Sequence, residues 1–201
     1  QTLNIAYLSS TNIDRLFSLY HAALRIGIPF IVDSHQKRIM DVVVSSDHIW
    51  AESSLYKYGK YKPMVLKYDK DNPGKHLISE KFIAFLKQKG YVLIARSNPR
   101  FDHLIEKMPG ESKQCYLSMW NGYVSNPASP FYNKELAAAL GKGYLYRHTS
   151  GHCDMKNLRN LFAQLSPKAI IPIHTDAPEA FAKLFNDQWP VRLLQDGDSF
   201  I

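Results

Sequence analysis

Cysteine is scarce: Cys115 and Cys153 are the only two in 201 residues, and their separation matches no metal-binding spacing. That excludes a cysteine-built zinc module and a disulfide-dense secreted scaffold, and it points to a reduced, cytoplasmic protein, with a single disulfide still open. Long apolar runs are also missing. No stretch reaches the roughly 18 residues that a membrane span needs, and the N-terminus lacks the basic region, apolar stretch and small-residue cleavage site of a secretory signal. A chain that is soluble as it stands, with no membrane partner, is expected. There is no initiator Met before Gln1 and a strand-like run begins almost at once, which suits a processed or excised piece of something longer. No internal repeat is visible.

What remains is ordinary globular composition with a basic tilt. Hydrophobic residues make up 45% of the chain, enough for a sizeable core in one large or two small domains. Lys plus Arg number 25 against 18 Asp plus Glu, for a formal charge of +7. The sum suits a polyanionic partner, although a solvated surface gives the same total; what matters is how the charge clusters.

The pattern along the chain alternates strand and helix. Asn4 to Ser9 reads as a buried strand, and Thr11-Asn12-Ile13-Asp14 has the order of a helix start, with Thr11 as N-cap and Asp14 at N3. Ile13, Leu16, Phe17, Tyr20 and Leu24 recur at helical spacing, Gly27 closes the run, and Pro29 to Asp33 forms a second strand. Such a β-α-β unit favours a parallel sheet. From Ile49 to Gly74 the pattern dissolves. There Tyr56, Tyr58 and Tyr61 interleave with Lys57, Lys60 and Lys62, a composition that fits base stacking with phosphate neutralisation, a solvated aromatic loop being the simpler account. Regularity returns with a helix over 79–89, a strand over 91–95, a helix over 101–108, a strand over 115–119, a loop over 121–130 and a helix over 135–140. Gly141 and Gly143 follow, the best boundary candidates, dividing the chain into 1–143 and 144–201; a helix C-cap within one domain reads the same way. Beyond them the spacing predicts a strand over 144–147, a helix over 154–165, a strand over 169–173, a helix over 178–186 and a strand over 191–194.

Two short motifs could carry chemistry. Thr149-Ser150-Gly151-His152 lies between a strand and a helix, where unpaired backbone N–H groups at the positive end of the helix dipole can hold a phosphate oxygen. Ser150 and Gly151 would make that contact, and His152 could donate a proton to a leaving alkoxide. A bland reading has Ser150 or Thr149 merely capping the helix. Pro172-Ile173-His174-Thr175-Asp176 delivers a histidine to the carboxyl end of an apolar strand, the edge where ligands gather in open α/β sheets. His174 could bind a metal through one ring nitrogen, with Thr175 or Asp176 fixing its tautomer. One ligand is not a zinc site, which needs at least three protein donors. Taken together, His152 and His174 flank one β-turn-α-β unit and should lie close in space. Asp196-Gly197-Asp198 adds carboxylates nearby, in a pattern more typical of a turn.

Ser10 to Arg15 with Pro29 to Asp33, Thr149 to His152, and Pro172 to His174 together resemble the β-CASP branch of metallo-β-lactamase-fold nucleases, which includes the bacterial RNase J enzymes and the eukaryotic pre-mRNA cleavage endonuclease. The resemblance implies a Rossmann-like parallel sheet flanked by helices over 1–143, followed by a β-α-β-α-β piece of a metallo-β-lactamase fold over 144–201. It implies His152 at the scissile phosphate, Thr11, Asn12, Ser150 and Gly151 as phosphate contacts, and His174 as a zinc ligand. Thr175-Asp176 stand where Gly-Glu is usual. The family's His-x-His-x-Asp-His motif, which supplies most ligands of what would be two zinc ions, is nowhere in the sequence. The chain alone is therefore expected to be inactive and not to retain zinc, the missing metallo-β-lactamase segment being a partner of the complete protein. The leading function is a phosphodiester hydrolase on RNA in preference to DNA. The alternative is a non-catalytic nucleic-acid-binding or scaffolding subunit, and a homo-oligomer is compatible with both. A nucleotide-binding domain using Ser10 to Arg15 ranks last, since that turn lacks the glycines of a dinucleotide fingerprint.

Overall fold

The computed structural model describes residues 3–47, 52–67, 76–108, 113–141, 143–149, 153–173 and 175–199. They fall into two compact units, 1–149 and 150–201. The first is a six-stranded sheet in which every pairing is parallel: β1 (Leu3–Tyr7), β2 (Phe30–Val32), β3 (Met64–Val65), β4 (Tyr91–Ala95), β5 (Lys113–Leu117) and β6 (Leu145–Tyr146), in the order β3-β2-β4-β1-β5-β6. The parallel, Rossmann-like α/β class expected from the sequence is what forms. Helices cover both faces of the sheet, and the central strand β4, Tyr-Val-Leu-Ile-Ala, is accordingly apolar throughout and buried at all five positions.

Handedness decides which helix goes where. The connections β1 to β2, through α1 (Ile13–Ile26), and β2 to β3, past α2 (Ser34–Val44), both step toward the β3 edge. Those through α3 (Glu80–Lys89), through α4 (Pro99–Lys107), and past the short α5 (Gly122–Ser125) and α6 (Lys134–Leu140) all step the other way. Right-handed crossovers running in opposite directions must lie on opposite faces. Accordingly Ala6, Val32, Val92 and Ile94 pack with Leu16, Phe17, Tyr20 and Met40 of α1 and α2. On the other face Ile5, Ile31, Leu93 and Leu117 pack with Leu86, Phe101, Leu104 and Leu140 of α3, α4 and α6.

Local chemistry fixes the helix ends. Asn12, rather than Thr11, caps α1, its Oδ1 accepting the Arg15 amide at 3.2 Å. The two neighbours are equally competent caps, and the turn that closes Asn12 N on Ser9 O places Thr11 outside the helix. Gly27 ends α1 at φ 72°, a conformation costly for any residue with a Cβ. α2 begins on Asp33, whose Oδ1 accepts from Gln36 N at 2.7 Å while Gln36 Oε1 accepts from Asp33 N at 3.0 Å, a reciprocal capping box. The other carboxylate oxygen, fully buried, pairs with Arg96 Nη2 at 2.6 Å. Beside it lies His76, 5% exposed with its ring edge-on to Phe101. Burial pulls the His76 pKa below 6.5, with the charges of Arg100 and Arg96 acting in the same direction and Asp33 opposing them.

The second unit is built on α7 (Met155–Leu165), capped by Asp154, and α8 (Pro178–Phe185). Phe162 meets Phe185 at 5.2 Å and Trp189 at 5.6 Å, and Arg159 lies over Phe185 at 5.1 Å. The strands expected over 169–173 and 191–194 meet at a single parallel bridge, Ile170 to Val191, and Ile173 is 92% exposed. An isolated pair of short strands is only marginally stable, and among the described residues of this unit no third strand joins them. Asp196-Gly197-Asp198 is a turn, closed by Asp198 Oδ2 accepting from Gln195 N at 2.7 Å. No helix among the described residues is long and apolar enough to cross a membrane.

Replacing Asp33 by Ala removes a cap worth about 1 kcal/mol and a buried charge-assisted bond worth about 1.5–3 kcal/mol. Urea unfolding should show a loss of about 2–4 kcal/mol with the denaturant slope unchanged. His76, its folded pKa depressed, contributes stability that is fully present above its unfolded value near 6.5 and is lost as pH falls through the folded value. Unfolding free energy should therefore decline below about pH 6.5, and the decline should be shallower in His76→Gln, as read by denaturation at a series of pH values.

Candidate functional site

The reversal of chain direction that splits the helices between two faces also opens a crevice. From β1 the chain leaves toward one edge of the sheet, while from its neighbour β5 it leaves toward the other, so the loops beyond their carboxyl ends diverge. A cavity of about 440 Å³ occupies this place, lined by Ser9 and Asn12 after β1, Ser118, Trp120, Tyr123 and Asn133 after β5, and His148 after β6.

Arg15 organises the floor. From the first turn of α1 its Nη1 donates to Ser118 O at 2.7 Å and bonds His148 Nδ1 at 2.9 Å, while Nη2 donates to Thr149 O at 3.0 Å and Thr149 Oγ1 at 2.6 Å. A guanidinium can only donate, so His148 Nδ1 accepts and the ring proton resides on Nε2. Ser118, 7% exposed, continues the ladder through its amide to Tyr7 O and donates from Oγ to Arg147 O at 2.5 Å. The ends of β5 and β6 and the start of α1 are thereby joined by a planar fork that a lysine could not reproduce.

The crevice has an aromatic wall. Trp120, 51% exposed, meets Tyr123 edge-on at 5.5 Å and Phe131 at 5.9 Å. An exposed indole beside hydroxyls, amides and an imidazole can stack a planar base while the polar groups hold its phosphate or sugar.

Of the residues singled out in the sequence, Asn12 lines this crevice, and Thr11 is adjacent, its Oγ1 2.8 Å from Ser9 Oγ. Ser150, Gly151, His152 and His174 lie outside the described residues. Arg15, Ser118, Trp120 and His148 were not picked out, because no local spacing ties them together; the pair Arg15 and His148 is 133 residues apart. The available signal was the Arg at the end of the Ser10 to Arg15 stretch. The Tyr/Lys run proves divided. Tyr56 and Tyr58 pack on Phe17 and donate to Asp14 and Asp41, whereas Tyr61 is 62% exposed.

The first unit is an open α/β sheet with a candidate crevice at its switch point. Comparison with known families then matches residues 144–194 to the Zn-dependent metallo-hydrolase RNA specificity domain, a match consistent with a member of the β-CASP and metallo-β-lactamase family. That description gives the family zinc dependence and RNA specificity. A search of curated proteins finds no match. The matched stretch contains His148 and Thr149, the residues that Arg15 reaches.

Zinc is not accommodated by the described residues. No group of three or more His, Cys, Asp or Glu side chains among them converges as a metal site needs. His148 turns its Nδ1 to a cation already in place.

Arg15→Lys should keep the charge but lose the fork. Long-range imidazole ¹⁵N spectra should show His148 shifting from one fixed tautomer toward a mixture, and thermal unfolding should reveal a loss of about 1–3 kcal/mol. An unchanged His148 signal would mean that the guanidinium does not orient the ring.

Proposed function

We propose that this chain is the RNA-gripping part of a Zn-dependent phosphodiester hydrolase, a nuclease of the RNase J-like kind that acts on RNA in preference to DNA. The observation that supports it is the Arg15 bridge, which ties the opening Ser10 to Arg15 motif to His148 and Thr149 inside the stretch matched to the RNA specificity domain. In this reading residues 1–143 form the clamp, and residues 144–201 close a metallo-β-lactamase-type domain.

The crevice would hold the strand. Thr11, Asn12, Ser150 and Gly151 would contact phosphate oxygens, Trp120 would take a base on its exposed face, and the basic surplus would neutralise the backbone. His152 would stand at the scissile phosphate and pass a proton to the leaving oxygen. His174 would serve as one zinc ligand. The other ligands of two zinc ions belong to a His-x-His-x-Asp-His segment that these 201 residues do not contain, so cleavage requires that segment from elsewhere in a longer protein. The absence of that motif is also what favours the second reading, a binding subunit without catalysis.

The two readings separate experimentally. Single-stranded RNA should bind the chain with an affinity that falls steeply as salt rises. Joined to the ligand-rich segment, the protein should contain zinc and cleave RNA. His174→Ala should lower both metal content and cleavage, and His152→Ala should lower turnover about 10²- to 10⁴-fold with metal retained. Zinc and full activity persisting in His174→Ala would remove the assignment; RNA binding with no cleavage in any zinc-loaded longer form would establish the binding subunit.

A further inference from the structure

A second cavity, of about 530 Å³, opens at the amino edge of the same sheet, the end opposite the crevice. Its base is apolar, formed by Leu24 of α1, Ile28 and Phe30 leading into β2, Met64 of β3 and Phe85 of α3. Lys60, Lys62 and Lys89 stand among its lining residues, all exposed, and no carboxylate does. Two ring faces border it, Tyr61 at 62% exposure and Phe85 at 39%, with Lys60 Nζ 5.2 Å from the Tyr61 centroid.

The basic lip is held in place rather than left to wander. Tyr20 Oη donates to Tyr61 O at 2.6 Å and accepts from Gly59 N at 2.8 Å, clamping the segment onto α1. The approach is so close that a Cβ at position 59 would fall 2.2 Å from Leu24 Cδ2. Tyr56 and Tyr58 anchor the same segment further back on Phe17.

Charge decides the class of occupant. The carboxyl ends of α1 and α3 border this place and contribute roughly −0.5 each. Three ammonium groups outweigh them, leaving a surplus near +2. Lys62 also lies in the field of Asp41, but Lys37 already pairs with that carboxylate at 2.5 Å. An apolar slot with ring faces and a cationic lip suits a planar heterocycle carrying phosphate.

We infer that this cavity is a second nucleotide-binding site, taking one base and its neighbouring phosphates from a single-stranded RNA. It rests on the RNA-binding reading above and adds a contact remote from the switch-point crevice. The base lies against Phe85 and Tyr61, and the phosphates sit on Lys60, Lys62 and Lys89. Duplex RNA, whose bases are paired and stacked, cannot enter.

The test uses the 201-residue chain, a fluorescent single-stranded oligonucleotide and a duplex of the same sequence, with adenosine monophosphate as a direct probe. Methyl resonances of Leu24, Ile28 and Met64 should shift on adding the mononucleotide. The triple variant Lys60→Ala, Lys62→Ala, Lys89→Ala should bind the single strand at least tenfold more weakly, with the salt slope reduced by about 2. Phe85→Ala, which leaves the charge intact, should weaken single-strand binding about fivefold or more while leaving duplex binding unchanged. Undiminished single-strand binding by the triple variant overturns the second site and leaves the RNA reading standing. Failure of the unaltered chain to bind any RNA overturns both. Shifts produced by lysophospholipid but by neither nucleotide nor RNA overturn the assignment in favour of a lipid.

Discussion

The architecture depends on one constraint, that parallel strands can be joined only by crossovers and that those crossovers are right-handed. In this sheet the chain first travels to the β3 edge and then back across β4 and β1 to the β6 edge. The helices of the outward journey must therefore cover one face and those of the return journey the other. Between β1 and β5, where outgoing connections part, no helix can close the gap. The crevice is the unavoidable result of the order β3-β2-β4-β1-β5-β6, and Arg15 is the side chain that ties the residues of its floor together.

That dependence explains what could be read from the amino acids alone. Tyr91 to Ala95 is buried on both sides, so its uninterrupted apolar run identified it to the residue. The first helix announced itself by heptad-like spacing and by Gly27. The second, Ser34 to Val44, did not: it buries only Gln36, Met40 and Val43, too narrow a stripe to signal periodicity, and its start hides in Asp33, which also ends a strand. Strand β3, two residues long, exists because β2 offers it an edge, and nothing local encodes it. The C-terminal unit differs the other way: apolar runs over 169–173 and 191–194 look like strands but, among the described residues, meet at one bridge.

The crevice followed the same rule. Residues next to one another in the chain, Thr11 and Asn12, were legible as polar helix-start residues. The contacts that give the crevice its character, Arg15 with Ser118, His148 and Thr149, join positions more than a hundred residues apart and appear only once the strands are ordered. The Tyr/Lys run shows that composition is silent about how its residues divide between packing and exposure. Two of its tyrosines became fasteners for the fold, and only the third, with its flanking lysines, was left facing open space.

Helix α1 runs from one hollow to the other, with Asn12 in the first and Leu24 and Gly27 in the second. Its fourteen residues make a rod of roughly 21 Å, wedged along its length by Leu16, Phe17, Tyr20 and Ala23. The spacing between the two hollows is thus set by the pitch of a single rigid element and not by any hinge. A ligand shorter than that rod can occupy one end or the other, but only a longer polymer can reach both at once, so the molecule carries a built-in minimum length for two-point attachment.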